Sequence, residues 1–356
     1  MGATVVPPAV RPRKILVVRT DHLGDLVLTT PLLRALAAGG HAVDVMACGA
    51  FLPVLSGNPH VVRSVAIEEV CPAFPKGWRA LARWLRLQNY ETLVLPHARP
   101  RELLWAALAS GVGRRIAMWS GIWGRLTGCR CLRSNLRGRP RHISDVYLDC
   151  ARALSVEPAG LAPEIFPSEE ARRWAAEALK RRFGDRPVVG IHPGCKGNTC
   201  NLPAAEYGRL AELVLRRPDL AVVVTGTPDE RDLLTAWPAA VRESDRLWDA
   251  MGEVSLERLP ALLERMAVFV CVGTGPLHVA SAMRVRTVSP FCAWPPLSAA
   301  VWGSLGGPAA TVHAPGEHCR QHRAHFTGHC DFAGTVTAEM LMREISTFLP
   351  SGAARA

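Results

Sequence analysis

Ala267-Val268-Phe269-Val270-Cys271-Val272-Gly273-Thr274-Gly275-Pro276-Leu277-His278-Val279-Ala280-Ser281-Ala282 runs from an apolar stretch, through a glycine-bracketed turn, into a string of small residues. The apolar part has the composition of a strand buried on both faces, which places it in a parallel sheet covered by helices. The small residues after Pro276 suit a helix. A strand that ends in glycines and opens into a helix presents free backbone N–H groups at the positive end of the helix dipole, a geometry that favours a phosphate. Thr274 adds a hydroxyl, and His278, one turn on, can aim an imidazole at the same spot. An ordinary β–α turn has the same spacing.

The opposite end of the chain repeats the pattern. Lys14-Ile15-Leu16-Val17-Val18-Arg19 reads as a buried strand, Thr20-Asp21-His22-Leu23-Gly24-Asp25 as a loop, and Leu26 to Ala38 as a helix with Pro31 in its early part. Asp25 thus falls at a strand-to-helix junction, on the edge of a parallel sheet where open α/β proteins bind their ligands. Helix capping is the alternative job for such an aspartate, and Asp21 is an equally good cap by composition.

Between these ends, strands and helices alternate. Strands are expected at residues 14–19, 42–47, 61–66, 92–95 and 114–118, with helices between them such as Trp78–Gln88 and Glu102–Ser110. Gly121 to Arg141, rich in Gly and Arg, reads as a long loop. Pro158, Pro163 and Pro167 mark a linker, and Glu169–Phe183 reads as a helix bridging two halves. A second alternation follows. Its strands are 187–191, 220–224, 268–272 and 286–289, its helices 204–216, 230–236, 256–266 and 279–283, and 338–349 closes the chain. The βαβ order predicts an α/β protein of two doubly wound, Rossmann-like parallel-sheet domains facing across a cleft. The expected boundaries are a flexible lead at 1–13, domains at 14–165 and 166–350, and a tail at 351–356.

At 356 residues the chain suits two cores, and its 49% hydrophobic and 21% charged composition is that of a folded globular protein. No apolar run reaches the ~18–20 residues of a membrane span, and the proline-containing N-terminus lacks the apolar core of a signal peptide. Cysteines scattered through apolar runs (Cys48, Cys150, Cys271, Cys292) fit a reducing compartment. The net charge of +11 is unevenly placed, because residues 1–150 hold 20 Lys+Arg and 9 Asp+Glu. Between Glu102 and Asp145 stand Arg114, Arg115, Arg125, Arg130, Arg133, Arg137, Arg139 and Arg141 with no acid among them. Such a field attracts a phosphorylated lipid, a nucleic acid or a sugar acid; a solvated basic face is the plainer reading. No nucleic-acid-binding module is recognisable, so no nucleic-acid partner is expected.

In the second half the polar motifs all follow strands. His192-Pro193-Gly194-Cys195-Lys196-Gly197, Thr225-Gly226-Thr227-Pro228-Asp229-Glu230 and Gly273–His278 would line one sheet edge. Together they offer a lysine, an acid suited to ribose hydroxyls and an anion-binding turn, a nucleoside-diphosphate site in outline. The chain has no Walker lysine motif and no GxGxxG. His313, His318, Cys319, His322, His325, His329 and Cys330 crowd a short span, but without CxxC or HExxH spacing, so no metal site is expected. Trp294 and Trp302 read as packing residues at the border of that edge.

These pieces carry a resemblance. Lys14-Ile15-Leu16-Val17-Val18-Arg19-Thr20 with Gly24-Asp25 and Thr29-Thr30-Pro31, Ile191-His192-Pro193-Gly194, Leu202 to Tyr207, Gly226 with Glu230, Gly252 to Leu263, and Thr274 to His278 occur in an order and spacing that resemble glycosyltransferase family 9, the ADP-heptose:lipopolysaccharide heptosyltransferases. The resemblance covers Lys14 to about Phe348. It implies a GT-B fold, the acceptor on the first domain and the nucleotide sugar on the second. It also implies an inverting transfer without metal or cofactor.

Carried over residue by residue, Asp25 matches the general base. Thr274, Gly275 and His278 match the diphosphate-binding turn, Glu230 the acid that holds the ribose, and Arg19 the basic residue beside the base. Lys196 is the candidate donor-side cation. Thr20, Arg114 and Arg115 join Arg19 as candidate acceptor contacts. The implied partners are ADP-heptose, an anionic lipid-linked oligosaccharide and the inner-membrane surface, with the protein cytoplasmic and peripherally attached. Two positions depart from the family's pattern. Gly273 stands where it has Asp, and Cys200-Asn201-Leu202 stands where it has a Lys before Trp-Pro. A non-catalytic nucleotide-sugar or glycolipid binder on the same fold is the second reading.

Overall fold

The computed structural model describes residues 13–134, 140–197, 199–314 and 331–349. The expected lead and tail, and all but His313 of the His/Cys-rich span, lie outside the described residues. The chain divides into two compact units, Met1–Ser134 with Ser144–Leu161, and Asn135–Ile143 with Ala162–Ala356.

The first unit is built on β1 (Lys14–Arg19), β2 (Ala42–Ala47), β3 (Arg63–Ala66), β4 (Thr92–Leu95), β5 (Arg114–Met118) and β6 (Arg130–Leu132). All pair in parallel, in the order β3-β2-β1-β4-β5-β6. Its principal helices are α1 (Leu23–Ala38), α2 (Trp78–Leu87), α3 (Glu102–Ser110), α4 (Gly121–Leu126) and α5 (Ile143–Arg152). β1 is central, and Ile15, Leu16 and Val17 are fully buried, as a strand covered on both faces requires. The chain leaves β1 towards β2 and β3 on one side and returns on the other as β4. The β1/β4 seam is therefore the switch point of a doubly wound sheet, where ligands bind at the carboxyl ends of the strands.

Pro31 lies inside α1, where it removes the N–H that would have bonded the Val27 carbonyl. Thr30 Oγ1 donates to that carbonyl at 2.8 Å, and Thr29 Oγ1 donates to the Asp25 carbonyl at 2.7 Å. The Thr-Thr-Pro run thereby keeps the helix continuous behind Asp25.

The second unit repeats the topology. β7 (Val188–His192), β8 (Ala221–Val224), β9 (Leu247–Asp249), β10 (Val268–Cys271), β11 (Thr287–Phe291) and β12 (Ala309–His313) form a parallel sheet in the order β12-β11-β10-β7-β8-β9. The switch point lies between β7 and β10. Around the sheet run α6 (Glu169–Phe183), α7 (Ala204–Leu215), α8 (Leu259–Glu264), α9 (Gly275–Ala282) and α10 (Ala338–Phe348), with a 3-10 helix at Pro228–Ala236.

Three local expectations change. Residues 121–141, expected to be loop, contain α4 and β6; six and three residues are too short to show a period. Likewise β9, β12 and α5 are elements where the sequence signalled none. α6 is not a bridge between halves. It belongs to the second unit, capped by Ser168 Oγ accepting from Ala171 N and tied to α8 by the Arg172–Glu264 ion pair at 3.0 Å.

At the centre of β7, Gly190 leaves room for its neighbours. A methyl group there would sit 2.1 Å from Met266 Sδ and 2.7 Å from Phe269 Cδ2. Gly190→Ala is expected to destabilise the protein by roughly 1–3 kcal/mol through overpacking, read as a lower urea midpoint at unchanged m-value.

Candidate functional site

The carboxyl edge of the first sheet gathers an ionic cluster. Arg19 ends β1, and its side chain is 1% exposed. Its Nε lies 2.9 Å from Asp21 Oδ1 and its Nη2 2.5 Å from Asp25 Oδ1. Tyr147 of α5 lies against the guanidinium, 4.4 Å from ring centroid to Cζ, and donates its hydroxyl to Asp25 Oδ1 at 2.7 Å. Asp21 reaches the other way, its Oδ2 2.9 Å from His97 Nδ1 in the loop after β4. The Asp21–His97 pair thus crosses the β1/β4 switch point. Trp119, just past β5, packs edge-on against both His97 and Tyr147.

Burial opposes the charge on Arg19, but Tyr147, Asp25 and Asp21 outweigh it and raise the guanidinium pKa. Burial lifts Tyr147 well above the ordinary phenol range, so its proton stays in place as a donor. Desolvation would raise Asp21, yet the His97 hydrogen bond and Arg19 prevail, and its pKa is lowered. Asp25 sits in the first turn of α1, and its side chain caps nothing. One carboxylate oxygen is fixed by two donors; the side chain is 13% exposed, and Oδ2 has no partner among the described residues. An oriented carboxylate with an open oxygen has the form of a general base.

The candidate acceptor contacts do not all share this edge. Arg19 is spent on the two aspartates and Tyr147, so it positions Asp25 rather than reaching outward. Arg114 and Arg115 start β5, at the amino end of its strand. There Arg114 donates to the Ala153 carbonyl at 2.9 Å and Arg115 to the Val112 carbonyl at 2.6 Å. Their guanidiniums serve the backbone at the far edge from Asp25. Thr20 directly precedes Asp21 in the β1–α1 loop. His97, Trp119 and Tyr147 were absent from the sequence-derived set. His97 stands two residues past an expected strand and was findable as an edge residue. Tyr147 comes from α5, which gave no sequence signal.

In the second unit the three loops follow β7, β8 and β10, as expected. Thr274 is the N-cap residue of α9 and is buried, with Gly275 and Pro276 in the first turn behind it. His278 follows within the helix, buried, its ring 6.3 Å from that of Trp302. Desolvation, with His142 nearby, pulls the His278 pKa from 6.5 down to about 3. It is a neutral hydrogen-bonding group, not a cation, and its buried Nδ1 has no partner among the described residues. Glu230 caps the 3-10 helix, accepting from Thr227 N at 2.7 Å. It also lies tight over the β7 loop, since a Cβ on Gly194 would be 2.1 Å from Glu230 Oε1. Buried His192 beside it contacts Thr225 Oγ1 at 3.1 Å. Lys196 is exposed on the same loop.

The two departures have structural roles. Phe291 fills the space beside Gly273, where a Cβ would lie 2.9 Å from Phe291 Cε1. Cys200 and Leu202 are buried in the core. Asn201 donates to the Pro193 carbonyl at 2.9 Å and accepts from Tyr207 at 2.8 Å, bracing the β7 loop. Trp302 Nε1 donates to the Pro296 carbonyl at 2.8 Å, a packing role. No group of three or more His, Cys, Asp or Glu side chains suited to a metal ion occurs among the described residues.

With this geometry in view, comparison with known proteins is direct. A family model described as glycosyltransferase family 9 (heptosyltransferase) matches residues 143–324. A Haemophilus influenzae protein provisionally described as a glycosyltransferase is 23% identical over 304 residues, covering 77% of this chain and 81% of its own. Among solved structures, a family 9 glycosyl transferase from Veillonella parvula superposes with a TM-score of 0.76 at 17% identity, over 94% of this chain and 97% of the other. The ADP-heptose lps heptosyltransferase II of E. coli gives 0.74 at 21% identity, over 94% and 98%. The shared fold is GT-B, with two Rossmann-like units.

Because His278 is neutral when folded and ordinary when unfolded, acid favours the unfolded chain. Between pH 6.5 and about 3 the unfolded state binds a proton that folded His278 refuses. Stability is therefore fully present above pH 6.5 and falls as pH drops, at up to about 1.4 kcal/mol per pH unit from this group. Urea midpoints measured from pH 7 to 5 should fall less steeply in His278→Gln than in the parent.

Proposed function

The chain belongs to glycosyltransferase family 9, and from that premise we propose that it transfers a heptose from ADP-heptose to the inner core of lipopolysaccharide, inverting the anomeric centre without a metal ion. The observation that carries this reading is Asp25, with Oδ1 clamped by Arg19 and Tyr147 and Oδ2 open. In the proposed step an acceptor hydroxyl gives its proton to Asp25 Oδ2 as its oxygen attacks the anomeric carbon. The bond from that carbon to the diphosphate oxygen breaks, and the electron pair leaves with ADP.

The donor half-site supplies what the leaving group needs. The N-terminus of α9, with the Thr274 hydroxyl, takes the diphosphate. Lys196 adds a mobile cation, His278 a neutral hydrogen bond, and the free oxygen of Glu230 a partner for ribose hydroxyls. Positive helix ends and side chains aimed at the departing charge serve where other transferases use a metal. The acceptor is a lipid-linked anionic oligosaccharide met at the inner face of the cytoplasmic membrane, for which the basic first half provides long-range attraction. The second reading, a binding protein without activity, draws on the side chains missing at Gly273 and in Cys200-Asn201-Leu202, which remove charge from the donor side.

Asp25→Asn is expected to lower turnover by 10²–10⁴-fold while leaving ADP affinity and thermal stability near parental values. Parental turnover in this variant would make Asp25 structural and favour the binding-protein reading.

The donor half-site carries its own test. Thr274→Ala and Glu230→Gln should each weaken ADP binding by roughly 2- to 10-fold. Glu230→Gln should also weaken adenosine binding, whereas Thr274→Ala should not. Calorimetry with ADP and adenosine, with and without EDTA, checks both, and EDTA should change neither affinity.

A further inference from the structure

The exposed large apolar side chains of the first unit are not scattered evenly. On α4, Ile122 is 66%, Trp123 40% and Leu126 61% exposed, and on α3 Leu108 is 41% exposed. They belong to one surface. Trp105 of α3 meets Trp123 of α4 at 6.0 Å between ring centroids, and Leu108 follows Trp105 by one helical turn. Ile122, Trp123 and Leu126 are spaced to share a helix face.

Arginines ring this patch. Arg101 Cζ lies 5.7 Å from the Trp123 centroid, Arg125 is exposed on α4 itself and Arg99 on the loop that leads into α3. The accompanying acid is Glu102, 28% exposed and 3.9 Å from Arg101. Both helices are entered from the carboxyl edge: α4 follows Trp119, which packs on Tyr147 and His97, and α3 follows the loop that carries His97.

We propose that the α3–α4 face is a membrane-docking surface, with Ile122, Trp123, Leu126 and Leu108 entering the headgroup region of an anionic bilayer and the surrounding arginines pairing with lipid phosphates. The proposal rests on the lipid-linked acceptor of the preceding reading and names the surface that meets its membrane. The chemistry is complementary on both counts. A solvent-facing Trp-Ile-Leu cluster suits the interface between headgroups and acyl chains, and Arg binds phosphate through its planar fork. Each cation near an anionic leaflet strengthens the attachment about fivefold. A protein partner would be drawn by the same apolar side chains, but a rim so short of acids fits a uniformly anionic surface better. Both helices of the docked face start at the carboxyl edge that holds Asp25, the edge a lipid-anchored acceptor would have to reach.

Flotation of the purified full chain with vesicles of phosphatidylcholine containing about one-third phosphatidylglycerol, against pure phosphatidylcholine, tests the proposal. The parent should float with the anionic vesicles and much less with the neutral ones. Ile122→Ser/Leu126→Ser should reduce the bound fraction about tenfold, and Arg101→Gln/Arg125→Gln by a similar factor, both at parental Tm. Leu87→Ser, which alters a side chain 73% exposed at the end of α2, should bind as the parent does. A parent that does not float, an α4 variant that floats unchanged, or an α4 patch that turns out to hold a dimer instead would each overturn the assignment. ADP binding and transfer to lipopolysaccharide acceptor in detergent micelles, where docking is bypassed, should survive in the α4 variant. A parent that floats yet transfers nothing would defeat the enzymatic reading and leave the docking surface standing.

Discussion

The buried Arg19 guanidinium is the constraint around which the first unit is arranged. A cation with a 1% exposed side chain is costly to desolvate, and it persists because Asp21, Asp25 and the face of Tyr147 surround it. Those partners come from the β1–α1 loop, α1 and the distant α5, so one charge on β1 ties three other segments to it. The result is a carboxylate whose orientation is set from behind and whose second oxygen is left open. Asp21 extends the cluster across the switch point to His97. The two aspartates share the buried positive charge, so only the loss of both would strand it, and the cluster acts as a unit.

The second unit lines its sheet edge with polar groups that carry little formal charge. Buried His278 is neutral, Thr274 and the α9 N-terminus offer dipoles, and exposed Lys196 is the cation on the β7 loop. Gly194 matters because its missing side chain lets Glu230 lie over the β7 loop while capping the following helix. Gly273 and Leu202 show how a missing polar group is absorbed locally, with Phe291 filling one site and the core the other.

Much of this was legible in the sequence, and the parts that were not share a cause. β1, β2, β4 and β5 fall where they were expected, because each is built on the short apolar run that a strand buried on both faces needs. The three loops after β7, β8 and β10 were readable because glycines and prolines punctuate strand ends. Short edge elements such as β6, β9 and β12 carry too few residues to show a period. Tyr147 was invisible because its role depends on a contact with Arg19, 128 residues away in sequence. Arg114 and Arg115 were misplaced for a related reason: composition reveals a cluster of charge but not which end of a strand it decorates.

The central claim is a single displacement at the anomeric carbon, aided by one carboxylate base. It is tested most directly by the anomeric configuration of the product formed from ADP-heptose and a heptose-deficient rough lipopolysaccharide, read from the one-bond carbon–proton coupling at the new glycosidic centre. The account predicts a configuration opposite to that of the donor. Retention of the donor configuration would contradict it, because two successive displacements make a side chain, rather than the acceptor hydroxyl deprotonated by Asp25, the first nucleophile.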